Sequence, residues 1–130
     1  MKNKTKATQR SLAVLRREGW TACVVEKWLP ARGNMKFGVR IDAFGFGDLL
    51  ACRSELLDEG HRANVNGQIA LVQCFPMARW KDHFEKLSAI PELQAWKAAG
   101  GIVLLHGWAF KPKDGVRGAK KTWQLREERI

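Results

Sequence analysis

The spacing of apolar residues divides the chain into a helix, a run of strands, two short helices and a closing pair of strands. Over 8–18, Leu12 and Leu15 share a helical face, Thr8 stands where a cap is wanted, and Gly19 ends the pattern. The β-forming run Trp-Thr-Ala-Cys-Val-Val-Glu-Lys-Trp-Leu (20–29) predicts a strand stopped by Pro30. A loop with Gly33, Asn34 and Gly38 follows, then an extended piece over 39–44 and a bend or bulge at Gly45 and Gly47. The second core strand is expected over 47–53. Residues 54–67 are polar and close on the turn signal Asn-Val-Asn-Gly, and the third strand runs over 68–75 to Pro76. Met77, Trp80, Phe84 and Leu87 then recur at helical spacing and are expected to pack on the sheet, with Arg79, Lys81, His83 and Lys86 on other faces. Pro91 opens a further helix, ended by Gly100-Gly101. Ile-Val-Leu-Leu-His-Gly-Trp (102–108) reads as a buried strand, 109–121 as a basic loop, and 122–127 as an edge strand.

The order αβββα(α)ββ is that of an α+β (α/β) domain with a central mixed sheet flanked by helices. A chain of 130 residues, 45% hydrophobic, fits a single folded domain over 1–130, with 1–7 as a basic, flexible tail. Trp28, Trp80, Trp96 and Trp108 are assigned to core and sheet packing. Cys23, Cys52 and Cys74 all fall in apolar runs and are expected as buried, reduced thiols. No Cys-x-x-Cys occurs and the histidines are scattered, which argues against zinc. No apolar run approaches the ~18 residues of a membrane span, and no signal-peptide core follows the basic start. An intracellular, cytoplasmic protein is expected.

Charge changes the picture more than composition does. The net charge is +10. Residues 1–17 carry Lys2, Lys4, Lys6, Arg10, Arg16 and Arg17 without an acid, and 111–121 carry Lys111, Lys113, Arg117, Lys120 and Lys121 against Asp114. The two segments account for the whole excess, so the charge is clustered rather than spread. Clustering of this kind is the footprint of a polyanion such as DNA, contacted mainly through its backbone, with Arg79 added from the following helix. Neither cluster is a strongly amphipathic helix, which argues against a membrane surface.

The candidate chemistry lies between Phe44 and Gln73. Asp48 opens one apolar run and Gln73 nearly closes the next. In neighbouring antiparallel strands these positions meet at one sheet edge. Glu26, near the end of the preceding strand, is brought to the same edge. Oxygen ligands of this kind suit Mg²⁺ or Mn²⁺. Asp42 reads as a supporting acid or as the partner of Arg40, and His106 as a packed, hydrogen-bonded histidine rather than a base.

The order of elements and the spacing of acids resemble the PD-(D/E)XK nuclease superfamily, with its restriction-endonuclease-like core. More narrowly, Val-Glu-Lys-Trp (25–28), Arg-Ile-Asp-Ala-Phe-Gly-Phe-Gly-Asp-Leu-Leu-Ala (40–51), Val-Gln-Cys (72–74) and His-Gly-Trp (106–108) resemble phage and prophage Holliday-junction-resolvase-like nucleases. The resemblance implies a Mg²⁺-dependent endonuclease acting on branched or recombination DNA, inside the host cell if phage-encoded, and working as a homodimer. By position it assigns Asp48 to the motif aspartate, Gln73 to the acid of the E-x-K half, and Glu26, or else Glu18, to a further acid. Phe75 stands where the motif has lysine, leaving Lys81 or Arg79 from the following helix to supply that cation. The neutral Gln73 and the missing lysine also fit two other readings. One is a weakly active or inactive DNA-binding module on the same fold; the other is a phage protein that binds a host factor.

Overall fold

A computed structural model describes the backbone of residues 2–34, 36–56 and 65–130, and the side chains of 7–34, 36–54 and 67–130. Helix α1 (Lys2–Arg17) comes first, followed by β1 (Thr21–Val24), β2 (Lys27–Leu29) and β3 (Val39–Ile41). Then come β4 (Leu49–Leu56) and β5 (Val65–Pro76), a 3-10 turn (Met77–Arg79), α2 (Trp80–Ser88) and α3 (Pro91–Ala98). Strand β6 (Ile102–Pro112) and β7 (Lys121–Arg129) close the chain. Five strands form one mixed sheet in the order β1-β4-β5-β6-β7, antiparallel except for the parallel pair β5–β6. Helices α2 and α3 form the crossover that such a parallel pair requires.

Side-chain alternation along the central strands builds a core on each face. Ala70 and Val72 of β5 and Ile102 and Leu104 of β6 meet Leu12 and Leu15 of α1. Leu71 and Phe75 of β5 and Val103 and Leu105 of β6 meet Leu87 of α2 and Leu93 of α3. Burying one such leucine stabilises the fold by about 2 kcal/mol.

Helix α1 is also pinned by polar groups. Trp108 Nε1 donates to Ser11 Oγ at 2.8 Å, Ser11 Oγ lies 2.9 Å from His106 Nδ1, and His106 Nε2 lies 2.7 Å from Glu127 Oε2. Because the indole can only donate, the serine proton is available to His106 Nδ1, and the Nε2 proton then faces Glu127. Burial holds the His106 pKa below its usual value, against the opposing pull of Glu127. Ser11 and His106 are wholly buried, so this Ser–His–Glu chain anchors α1 and is out of reach of a substrate. The expectation of a packed histidine is met.

Several boundaries differ from the sequence reading. Helix α1 starts at Lys2, not Thr8; Thr8 is buried inside it, and the expected tail over 1–7 is largely helical backbone. The strand expected over 20–29 breaks in two, with β2 leaving to pair only with β3. The Asn-Val-Asn-Gly segment is not a turn from Val65 onward: Val65, Asn66 and Gly67 extend β5 against Leu56, Glu55 and Ser54. The basic loop 109–121 is mostly hairpin, its arms paired out to Pro112–Lys121. Cys23 and Cys52 are exposed on the β1–β4 edge rather than buried, because α2 and α3 do not extend over that part of the sheet. Trp28 and Phe84 are likewise exposed.

Candidate metal centre

The site is assembled by two departures from a regular ladder. The first is a bulge between β1 and β2, where the amides of Val25 and Glu26 both donate to the carbonyl of Asp48, at 3.0 and 3.3 Å. Two residues thus oppose one, which bends the strand and re-aims Glu26. The second is a tight hairpin over 42–48. Ala43 and Gly47 exchange both backbone hydrogen bonds, at 2.9 and 2.8 Å, which sets Asp42 against Asp48. Three residues close that hairpin, with Phe44 and Gly45 both at positive φ, 53° and 81°. A Cβ at Gly47 would sit 2.8 Å from Leu71 Cδ2, so any larger residue there would make Leu71 shift where the hairpin lies on β5.

Glu26, Asp42 and Asp48 each offer a carboxylate oxygen within 4.8 Å of the others. Across the ladder, the Leu49–Val72 pair sets Asp48 opposite Gln73, and the Asp48 amide donates to the Val72 carbonyl at 2.9 Å. Asp48 is 6% exposed and Gln73 7% exposed. The Cys74 amide donates to Asp48 Oδ2 at 2.8 Å. Oxygens Glu26 Oε2, Asp42 Oδ1 and Gln73 Oε1 are buried without a hydrogen-bond partner. Arg40 Nη1 approaches Glu26 Oε2 only to 3.5 Å, an ion pair rather than a hydrogen bond.

Burial, together with the neighbouring charge of Asp42, pushes the Asp48 carboxyl up to about 8, despite the opposing hydrogen bond from Cys74. Asp42 also makes a side-chain hydrogen bond to it that favours the protonated form. Burial and the same acids raise the Cys74 thiol, which is therefore protonated and inert as a nucleophile. This cluster is a set of hard oxygen donors with more negative charge than its own cations neutralise, a combination suited to a divalent cation.

The cluster opens into a cleft of about 250 Å³ lined by Asp48, Gln73, Arg40, Arg79, His83 and Lys86 among others. Glu26, Asp48 and Gln73 thus gather at one edge as expected from sequence. Asp42 belongs with them, and Arg40 pairs with Glu26 instead. The symmetric placing of Asp42 and Asp48 about a glycine-containing five-residue turn is the signal that marks it. Lys81 is not at the cleft: its side chain is 87% exposed and pairs with Glu85 at 3.9 Å on the outer side of α2. Arg79 does line the cleft, paired with Asp82 at 3.6 Å, as does Lys86, which the sequence reading places on another face. Phe75 is a core residue whose ring stacks on His83 at 4.4 Å between centroids. Glu18 lies at the far end of α1, beside Trp20, Arg53 and Glu127.

Of the residues assigned to DNA, Arg16 is tied back to the Ala22 carbonyl at 3.1 Å, and Arg10 covers the ring of Trp123 at 3.4 Å. Arg17 is exposed at the end of α1, and Lys111, Lys113, Lys120 and Lys121 follow the β6–β7 hairpin. The side chains of Lys2, Lys4 and Lys6 lie outside the described residues. No helix among the described residues is long and apolar enough to cross a membrane.

Compared with known proteins, the chain matches no protein family, no curated protein and no solved structure.

Proposed function

We propose that the protein is a metal-dependent DNA endonuclease of the PD-(D/E)XK type, with a restriction-endonuclease-like core and a branched or recombination DNA substrate. The observation that carries this reading is Gln73. A buried amide oxygen that no protein group satisfies, opposite a buried carboxylate in a cleft lined by both cations and acids, is placed to accept a ligand. Such a group costs about 1–3 kcal/mol unless something binds it.

Asp42, Asp48, Glu26 and the Gln73 carbonyl would hold Mg²⁺ or Mn²⁺. The ion, when bound, supplies an activated water and neutralises charge at the scissile phosphate. The protein's own groups do the rest. Arg40, Arg79 and Lys86 draw the phosphodiester into the cleft against the charge of the acids. Asp48, protonated by its surroundings near neutral pH, gives up that proton when a cation enters, so loading rises with pH. The Cys74 amide fixes which Asp48 oxygen is turned toward the sheet and which toward the cleft. With Phe75 in the core, the cation of the E-x-K pattern has to come from Arg79 or Lys86.

A second reading, a DNA-binding module with little or no activity, is favoured by that same Phe75 and by the neutral Gln73. Nicking of branched and linear DNA in Mg²⁺ or Mn²⁺ separates the two. Cleavage by wild type that Asp48→Asn abolishes, with DNA binding kept, supports the nuclease. Equal activity of both proteins refutes the site. An inactive wild type that binds DNA and is rescued by Gln73→Glu supports the binding module.

A further inference from the structure

The β6–β7 hairpin carries a feature that the cleft does not explain. Phe110 and Trp123 form a registered cross-strand pair whose rings stack 5.2 Å apart at an interplanar angle of 22°. Both are open to solvent, Phe110 54% and Trp123 47% exposed. Arg10 of α1 lies over the ring of Trp123, 3.4 Å from its centroid. Beyond the pair, the hairpin bears Lys111, Lys113, Arg117, Lys120 and Lys121 against the single acid Asp114.

Each part has a bland use. A cross-strand aromatic pair steadies a hairpin by about 0.2–1 kcal/mol, and lysines keep an edge strand from pairing. Together they make a different surface. Trp123 contacts both Arg10 and Phe110, which steadies its ring. Phe110 touches Trp123 on one face and retains half its surface for another planar group. A planar apolar face on a hairpin that carries five cations matches a chain of planar bases on an anionic backbone. A duplex hides the faces of its bases, so the ligand that fits is single-stranded.

We infer that this hairpin is a stacking platform for unpaired bases of single-stranded DNA, with the hairpin lysines and Arg117 on the flanking phosphates. The inference rests on the nuclease reading for the identity of the polyanion, and refines its substrate to DNA with an unpaired segment. The topology sets the distance between platform and cleft. Gln73 pairs with Leu105 on β6, and Phe110 lies five residues further along the same strand. At the strand rise that is roughly 16 Å. The platform therefore projects past the sheet end that carries the cleft but on the opposite face, since Phe110 alternates with His106 and Trp108 on the α1 side while Leu105 packs with α2 and α3. A strand reaching both would pass around that end.

The test is equilibrium binding, in EDTA, of a short single-stranded oligothymidylate and of an abasic oligomer of the same length. Wild type, Phe110→Leu and Phe110→Trp are compared across a salt series. Stacking of one base predicts that wild type binds the abasic oligomer roughly 5- to 150-fold more weakly than the thymidylate. Phe110→Leu should lose that same factor on thymidylate alone, with an unchanged salt slope, and Phe110→Trp should restore it. Equal affinity of wild type for the two oligomers overturns the platform, whatever the variants do, and leaves backbone binding standing. Failure to bind either oligomer, at low salt, overturns both the platform and the DNA reading beneath it.

Discussion

The clearest consequence of the acidic cluster is that it weakens the fold on which it sits. Replacing Asp48 with asparagine keeps the shape and retains an oxygen to accept the Cys74 amide, which bonds Oδ2 at 2.8 Å. What it removes is an acid whose ionised form is penalised by burial and by the charges of Asp42 and Glu26. Asp48 titrates near 8 in the folded protein against 3.8 ordinarily, so the folded state binds the proton more tightly. Stability is then greatest below pH ~4 for this group and falls as pH rises toward 8. At pH 7, just over three pH units of unfavourable ionisation, at about 1.4 kcal/mol each, bound the penalty at about 4 kcal/mol. Asp42 and Glu26 still repel one another after the change, so a gain on the order of 2–4 kcal/mol is expected for Asp48→Asn without metal. That is roughly 6–12 °C in Tm for a domain of this size. Thermal unfolding in EDTA at pH 5 and pH 8 measures it. Wild type should lose stability between the two, and Asp48→Asn should be steadier than wild type at pH 8 and much closer to it at pH 5. A variant less stable than wild type at both pH values would mean that Asp48 is structural and that no electrostatic strain is stored at the cluster.

Other outcomes follow from the same structure. Gln73→Glu adds a fourth buried acid: it should lower the metal-free Tm by several degrees yet bind Mn²⁺ at least tenfold tighter, both readable by calorimetry. Ser11→Ala leaves Trp108 Nε1 and His106 Nδ1 without their partner and should cost about 1–3 kcal/mol in urea unfolding, with no effect on metal affinity. Since burial lowers the His106 pKa, the unfolded chain takes that proton first, and the contribution of His106 to stability should decline as pH falls below about 6.5; a His106→Gln variant should be less sensitive over pH 5–7. Changing Lys111, Lys113, Lys120 and Lys121 to alanine should flatten the salt dependence of duplex binding, by up to about 0.9 in log–log slope for each phosphate that is no longer neutralised. An unchanged slope would place the phosphate-binding cations elsewhere.

The layout of elements is legible in the sequence because the core follows simple periods. The 3.6-residue spacing of Leu12 and Leu15 points to the face they bury, and the unbroken apolar run over 102–105 points to a strand covered on both faces. Asp48 and Gln73 are legible for the same reason, as ends of antiparallel neighbours. The sequence places Glu26 rightly for an incomplete reason: a continuous strand does not aim it inward, and the bulge at Val25 and Glu26 does. Asp42 is harder to read because its approach to Asp48 depends on a hairpin of three residues, with Phe44 forced to positive φ. Lys81 misleads because helix phase decides which cation faces the cleft, and the 3-10 turn before α2 resets that phase. The Asn-Val-Asn-Gly signal is outweighed by pairing with β4, in which tertiary context overrides a local preference.

The measurement that bears most directly on the nuclease reading is a crystal soaked in Mn²⁺ and recorded for anomalous scattering. One strong peak is expected among Asp42, Asp48 and Glu26, with the Gln73 amide oxygen turned toward it, and that peak should vanish in Asp48→Asn. No peak at that cluster in wild type at millimolar Mn²⁺, or a peak that persists undiminished in Asp48→Asn, would contradict the metal centre and the nuclease reading built on it.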